Sequence, residues 1–145
     1  GGGLLVNTTG VDIVVAKYSG VDGSHSWSKN FGSMFGESVS GVAVDGSGNV
    51  ILTGSILGSV NFGGGSVGTN GSYDVYVVKL TADGAHVWSK RAGALYDDHG
   101  TAVAVDGSGN VLVTGDFNTS VDFSGGVSPL TSPGGTDSFL VKFGP

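Results

Sequence analysis

The sequence predicts an all-β chain built from repeated four-stranded antiparallel sheets. Gly accounts for 29 of the 145 residues, and the apolar segments are short or alternating and interrupted by Gly, so no helix is expected. Blocks of sequence also recur at an interval of about 62 residues. The nine residues VAVDGSGNV occur at Val42–Val50 and again at Val103–Val111, and Trp27 and Trp88 lie 61 residues apart. Such a period indicates a repeat architecture in which each copy is one supersecondary unit.

Each copy reads as four strands, which we name A to D in chain order. Strands A and B, Val42–Asp45 and Asn49–Ser55, flank a Gly-Ser-Gly turn that is typical of a tight hairpin. A Gly-rich connection at Asn61–Tyr73 leads to strand C at Asp74–Thr81. An Ala-Asp-Gly turn then leads to strand D at Ala85–Ala92. Tandem four-stranded meanders are the blades of a β-propeller.

Strand C carries large apolar residues on both of its faces. Tyr76 and Val78 lie on one face and Val75 and Val77 on the other, as expected for a sheet covered on both sides by neighbouring blades. A parallel β-helix is disfavoured because its coils are much shorter than 62 residues. A β-sandwich is disfavoured because it would not need the repeat.

The repeated segments also resemble a known family. VAVDGSGNVILTG, followed after a Gly-rich gap by DVYVVKLTADGAHVWSK, is similar to the bacterial β-propeller repeat called SBBP, and the resemblance covers nearly the whole chain. It implies a propeller fold and a large secreted or surface protein of myxobacteria and their relatives. The family carries no catalytic signature that could be transferred to these residues.

The chain is expected to form one propeller segment over residues 1–145, with about 2.3 repeats. Residues 1–34 supply strands C and D, residues 35–93 a complete blade, and residues 94–145 strands A, B and C. Propellers need about four to eight blades, so one chain gives an incomplete ring. The chain is then either a fragment of a longer propeller or a homo-oligomer, a trimer or a tetramer, with one redundant strand C at each junction.

Composition excludes several classes of function. The chain has only six Lys and Arg, a net charge of −6 and no basic cluster, which argues against nucleic-acid binding. It has no apolar run of about 18 residues, which argues against a membrane span, and no Cys for disulfides or thiolate metal sites. No nucleophile elbow, HExxH or Walker A motif is present, so we expect neither an enzyme nor a cofactor. Abundant Ser, Thr, Gly and Asn suggest a secreted or cell-surface bacterial protein.

The candidate ligand-binding residues are His25, Trp27, His86 and Trp88. Each Trp lies two residues after a His and two before a Lys, so simple alternation places all three on one face of strand D. An aromatic ring beside hydrogen-bonding groups is typical of a carbohydrate site, and one site per blade would be multivalent. The alternative is that each Trp packs between blades with its indole N–H bonded locally.

Weaker candidates for a metal site are Glu37, Asp97 and Asp98, which precede strand A near the expected channel mouth. They are either a ring of carboxylates for a cation or solvated loop acids. The DGSGN segment is interpreted as a turn, because a calcium-binding EF-hand loop would need Gly and Glu where Val50 and Ile56 stand.

The sequence therefore favours a non-enzymatic binding or scaffold module with a carbohydrate as its best candidate ligand. The first alternative is a purely structural propeller fragment or an engineered assembly unit. The second is an enzyme that uses the acids at the channel mouth.

Overall fold

A computed structural model describes residues 4–6, 10–123 and 128–145. Regular structure in these residues is β throughout, and none of them forms a helix able to cross a membrane. The strands are β1 (Ile13–Tyr18), β2 (His25–Phe31), β3 (Glu37–Val44), β4 (Val50–Ile56), β5 (Ser59–Asn61), β6 (Ser66–Gly68), β7 (Asp74–Leu80), β8 (His86–Ala92), β9 (His99–Val105), β10 (Val111–Val121) and β11 (Leu130–Phe143).

The strands form three main antiparallel sheets and one small hairpin. The central sheet has the order β3-β4-β7-β8, which is the meander expected for strands A to D. The first sheet pairs β1 with β2, the third has the order β11-β10-β9, and β5 and β6 form the hairpin. The all-β propeller prediction is confirmed, and the described residues of one chain do not close a ring.

Two details of the central sheet differ from the sequence expectation. Strand A begins at Glu37 rather than at Val42, because the residues of Glu37–Gly41 pair with β4 through their backbones without an apolar pattern. The Gly-rich connection Asn61–Tyr73 begins within the β5–β6 hairpin, whose three-residue strands are too short to show a period. Its Phe62 is buried and stacks on Tyr76 with ring centroids 5.0 Å apart.

Apolar residues cover both faces of the central sheet and form two separate cores. The core toward the first sheet contains Ile13, Phe31, Val50, Leu52, Ile56, Val60, Phe62, Tyr76, Val78 and Leu80. The core toward the third sheet contains Ile51, Val75, Val77, Ala92, Val111, Val113, Phe117, Val121 and Phe139. Alternate residues of one strand therefore belong to different cores, which is what a stack of sheets requires.

The DGSGN segments are turns, as the sequence predicts. In the first, Oδ1 of Asp45 accepts the backbone N–H groups of Ser47 at 2.9 Å and Asn49 at 3.0 Å. Gly48 has a φ of 80°, a conformation that glycine adopts at little cost. Asp106 accepts the corresponding N–H groups in the second copy.

Candidate functional site

A β-bulge in β2 determines where the first His-Trp pair points. Trp27 lies opposite Lys17 and His25 lies opposite Tyr18, so Ser26 is an extra residue in the ladder. Paired residues share a face of the sheet, and the adjacent residues Lys17 and Tyr18 lie on opposite faces. His25 and Trp27 therefore lie on opposite faces of the first sheet.

The same bulge occurs in β8 of the central sheet. Trp88 lies opposite Lys79 and His86 opposite Leu80, which leaves Val87 as the extra residue. The prediction that the His and Trp of one strand share a face is wrong, because the bulge reverses the alternation between them. His86 faces the first sheet, whereas Trp88 packs against the core toward the third sheet.

The two Trp side chains lie at contacts between sheets. The indole Nε1–H of Trp27 donates to the carbonyl of Ala82 at 3.0 Å, and the Nζ of Lys17 donates to the same oxygen at 2.7 Å. The Trp27 ring lies against Gly84, where a Cβ atom would come within 3.0 Å of its Cδ2. Trp88 lies near Phe143, with ring centroids 6.3 Å apart.

The bulge brings His86 to a cleft that it shares with the preceding strand D. We call this cleft, which lies between β2 and β8, the outer cleft; its volume is about 530 Å³. It is lined by Leu5, Ser28, Lys29, Asn30, Phe31, Asn61, Phe62, Gly63, Gly84 and His86. The predicted site lies on a single strand D, whereas this cleft is lined by residues of two successive strands D.

Several polar groups of the outer cleft are held in place. The His86 ring lies against Gly64, where a Cβ atom would come within 2.1 Å of its Cε1, and its Nε2 lies 3.2 Å from Oγ of Ser89. Oδ1 of Asn61 accepts the backbone N–H of Gly63 at 2.8 Å, which leaves the Asn61 amide N–H groups as donors.

Lys29 and Asn30 complete the polar lining from the side of β2. Lys29 supplies the cationic group of the outer cleft, and Nδ2 of Asn30 donates to the carbonyl of Val6 at 2.7 Å. Sequence reasoning did not place Lys29 and Asn61 in one cleft with His86. The only signal was the 61-residue spacing, which places equivalent side chains on consecutive sheets.

The acids near strand A are engaged by loop groups. Glu37 is buried and accepts the N–H of Ser33 at 3.2 Å. Asp98 is also buried, and it accepts the N–H groups of Ala94 and Asn118, each at 2.9 Å. Burial raises the pKa of Asp98.

Asp97 lies beside Asp98 but is exposed and bonds a different loop. The hydroxyl of Ser72 donates to Asp97 and holds its pKa below the ordinary value. Within the ranges that the structure describes, no group of three or more His, Asp or Glu residues is arranged to hold a metal ion. The three candidate acids thus do not converge on one point there.

A further acid, Asp74, is fully buried at the start of β7. Its Oδ2 accepts the N–H of Asn70 at 2.8 Å and pairs with the Arg91 guanidinium at 2.9 Å. Its Oδ1 lies against Gly93, where a Cβ atom would come within 2.3 Å. Burial raises the pKa of Asp74, and the close packing at Gly93 gives this side chain a structural role.

Comparison with known proteins locates one repeat of a family. Residues 87–124 match the family described as SBBP, a beta-propeller repeat. The matched segment runs from the last strand of the central sheet through β9 and β10 of the third, and over it the resemblance seen in the sequence is confirmed. No curated protein matches the chain. The repeat indicates a binding or scaffold module.

Proposed function

We propose that the chain is a non-enzymatic binding module and that its outer cleft holds a carbohydrate. The observation that carries the proposal is the convergence of His86, Lys29 and Asn61 from two sheets and the hairpin on one open cleft. Sugar hydroxyl groups require several hydrogen-bonding partners that approach from different directions. A polar cleft above the buried rings of Phe31 and Phe62 suits a sugar better than it suits an apolar ligand.

The lining of the outer cleft supports binding rather than hydrolysis. Glycoside hydrolases generally need two carboxyl groups that flank the scissile bond. The described lining contains no Asp or Glu, and Nε2 of His86 lies within hydrogen-bonding distance of the hydroxyl of Ser89. A place at a bacterial surface or outside the cell suits such a module, since glycans are displayed there.

A glycan array, followed by titration calorimetry on the best ligand, tests this proposal. Lys29→Ala should weaken binding by about 10-fold or more, because a hydrogen bond from a charged group contributes about 1.5–3 kcal/mol. His86→Ala should also weaken it, by removing a side chain that the Gly64 backbone holds in place.

The matched control is Lys90→Ala. Lys90 is the repeat counterpart of Lys29, but it lies over Phe143 with its Nζ 5.4 Å from the ring centroid, outside the outer cleft. Its substitution should leave glycan affinity unchanged. Absence of any glycan ligand for the parent protein, or equal binding by the Lys29→Ala variant, would rule out the carbohydrate proposal.

A structural assembly unit is the second candidate function. It is favoured by the exposed apolar residues Val42, Val44 and Leu140, which lie on sheet faces rather than in loops. A protein that assembles but binds no glycan would have this function.

A further inference from the structure

Two valines of β3 are exposed, whereas their repeat counterparts pack against a neighbouring sheet. Val42 and Val44 are 62% and 60% exposed. Their counterparts Val103 and Val105, 61 residues later in β9, pack against the core between the central and third sheets. The sequence around both pairs is identical, so the difference lies in what stands next to each sheet.

The central sheet covers the β9 pair with one face of its strands A and B. Ile51 is buried in the same core, and a Cβ atom on Gly41 would lie 3.0 Å from the backbone nitrogen of Val103. The repeat counterparts of Ile51 and Thr53 in the third sheet are Leu112 and Thr114. The third sheet therefore carries the surface that could cover Val42 and Val44.

This surface of the third sheet has no neighbour in the described chain. We call it the open face; it consists of Ala102, Ala104, Leu112, Thr114 and Leu140. Leu140 is 66% exposed, whereas its counterpart Val77 in the central sheet is 3% exposed. The Lys residues that pair with Asp in these sheets show the same difference. The side chain of Lys79 in the central sheet is 8% exposed, whereas that of Lys142 in the third sheet is 55% exposed.

The complementary surface is an apolar cleft between the first and central sheets. We call it the inner cleft; its volume is about 290 Å³. It is lined by Val15, Ala16, Lys17, Tyr18, Trp27, Val42, Val44, Gly48 and Val50. Beside it β1 pairs only with β2 among the described strands, so the cleft occupies the position of strands A and B in the first sheet.

We propose that a second copy of this chain docks in the inner cleft through its open face. Strands β9 and β10 of one copy would supply the missing A and B positions beside β1 of the next, with Leu112 and Thr114 over Val42 and Val44. The contact repeats one that the chain already makes between its central and third sheets. Because each surface complements the other and not itself, the association is head-to-tail.

Charge supports the same arrangement. Strand C carries a Lys that pairs with the Asp of the A–B turn, at 3.1 Å for Lys79–Asp45 and 2.8 Å for Lys142–Asp106. Lys17 occupies this position in β1 and bonds a carbonyl of the central sheet instead. Strand C is present in both partners, so β1 replaces β11 beside β10 at the junction. With this replacement, docking brings Asp106 of the second copy to Lys17.

Native mass spectrometry and light scattering on the 145-residue chain test this proposal. The parent protein should have the mass of two or more copies, each of 14.3 kDa. Leu112→Asp and Val42→Asp each place a carboxylate in one of the two docking surfaces, and each variant should have the mass of a single copy. Leu95→Asp, in an exposed loop outside both surfaces, should keep the parent mass. Circular dichroism should show that all three variants remain folded.

A mixture of the two variants tests the direction of the contact. The Leu112→Asp protein keeps its inner cleft and the Val42→Asp protein keeps its open face, so an equimolar mixture should form a dimer of one copy of each. A single-copy mass for the parent protein at about 100 μM would overturn the proposal. So would undiminished self-association of the Val42→Asp variant, because the open face would then pair with itself. Neither result bears on glycan binding at the outer cleft.

Discussion

At the scale of single residues, the Asp of each A–B turn both shapes the turn and pairs with strand C. The side-chain amide of Asn49 and the ammonium of Lys79 hold the pKa of Asp45 well below its ordinary value. Lys142 and Asn110 do the same for Asp106. The folded state therefore favours the charged form of both carboxyl groups.

This preference predicts how stability depends on pH. A folded-state pKa below the unfolded value of about 4 stabilises the protein above that pH, and the stabilisation is lost as pH falls toward the folded-state value. The melting temperature should therefore fall as the pH decreases from about 4 to 2. Asp45→Asn should make that fall shallower, as thermal melts at a series of pH values would show.

Replacing the Asp of each turn by Asn should lower the melting temperature to a different extent at neutral pH. Asp45→Asn leaves the buried Lys79 without its counter-charge, whereas Lys142, the partner of Asp106, is mostly exposed. Asp45→Asn should therefore lower the melting temperature more than Asp106→Asn at pH 7. Both changes are best made in the Leu112→Asp protein, so that one copy is compared with one copy. Equal falls in melting temperature would show that the burial of Lys79 does not increase the cost of losing its counter-charge.

At the scale of elements, a bulge in strand A explains why Gly54 and Gly115 stand at the same place in the two repeats. Val39 lies opposite Gly54 and Gly41 opposite Thr53, so Ser40 is extra. The displaced backbone comes so close that a Cβ atom on Gly54 would lie 2.0 Å from the carbonyl oxygen of Ser38. The same constraint applies in the third sheet, where a Cβ atom on Gly115 would lie 2.1 Å from the carbonyl oxygen of His99.

Gly54→Ala should therefore lower the free energy of unfolding by about 1–3 kcal/mol, because overpacking forces the backbone to shift. Gly46→Ala is the control, since no atom lies within 4 Å of its Cβ position. Urea denaturation of the two variants would measure the difference. Similar midpoints for both would show that strand A moves away from Gly54 at little cost.

Alternation and turn residues predict the order of the four strands, but they do not predict the bulges. HSW and HVW read as regular alternation, and the sequence interpretation therefore places His86 and Trp88 on one face. A bulge is fixed by how the backbones pair, which side-chain polarity does not report. The sequence consequently singled out His86 but did not place it in one cleft with Lys29 and Asn61, which come from a different sheet and from a Gly-rich hairpin.

At the scale of the molecule, the central sheet is covered on both faces, and the first and third sheets are each covered on one. Covering the open face and the inner cleft should stabilise the folded chain, so its stability should depend on protein concentration. The melting temperature of the parent protein should rise between about 1 and 100 μM. That of Leu112→Asp should stay constant. A constant value for both would mean that the exposed faces do not associate.

The bulges in β2 and β8 also affect how ligand preference could be inherited. In the first and central sheets, strand D turns its His toward the preceding junction and its Lys toward the following one, so the polar lining of the outer cleft comes from two neighbouring repeats. Exchange of one repeat for another would alter the lining of two such clefts at once. Duplication of a repeat would pair side chains that had not previously met, so a lengthening array would gain clefts of new lining before any of its repeats mutates.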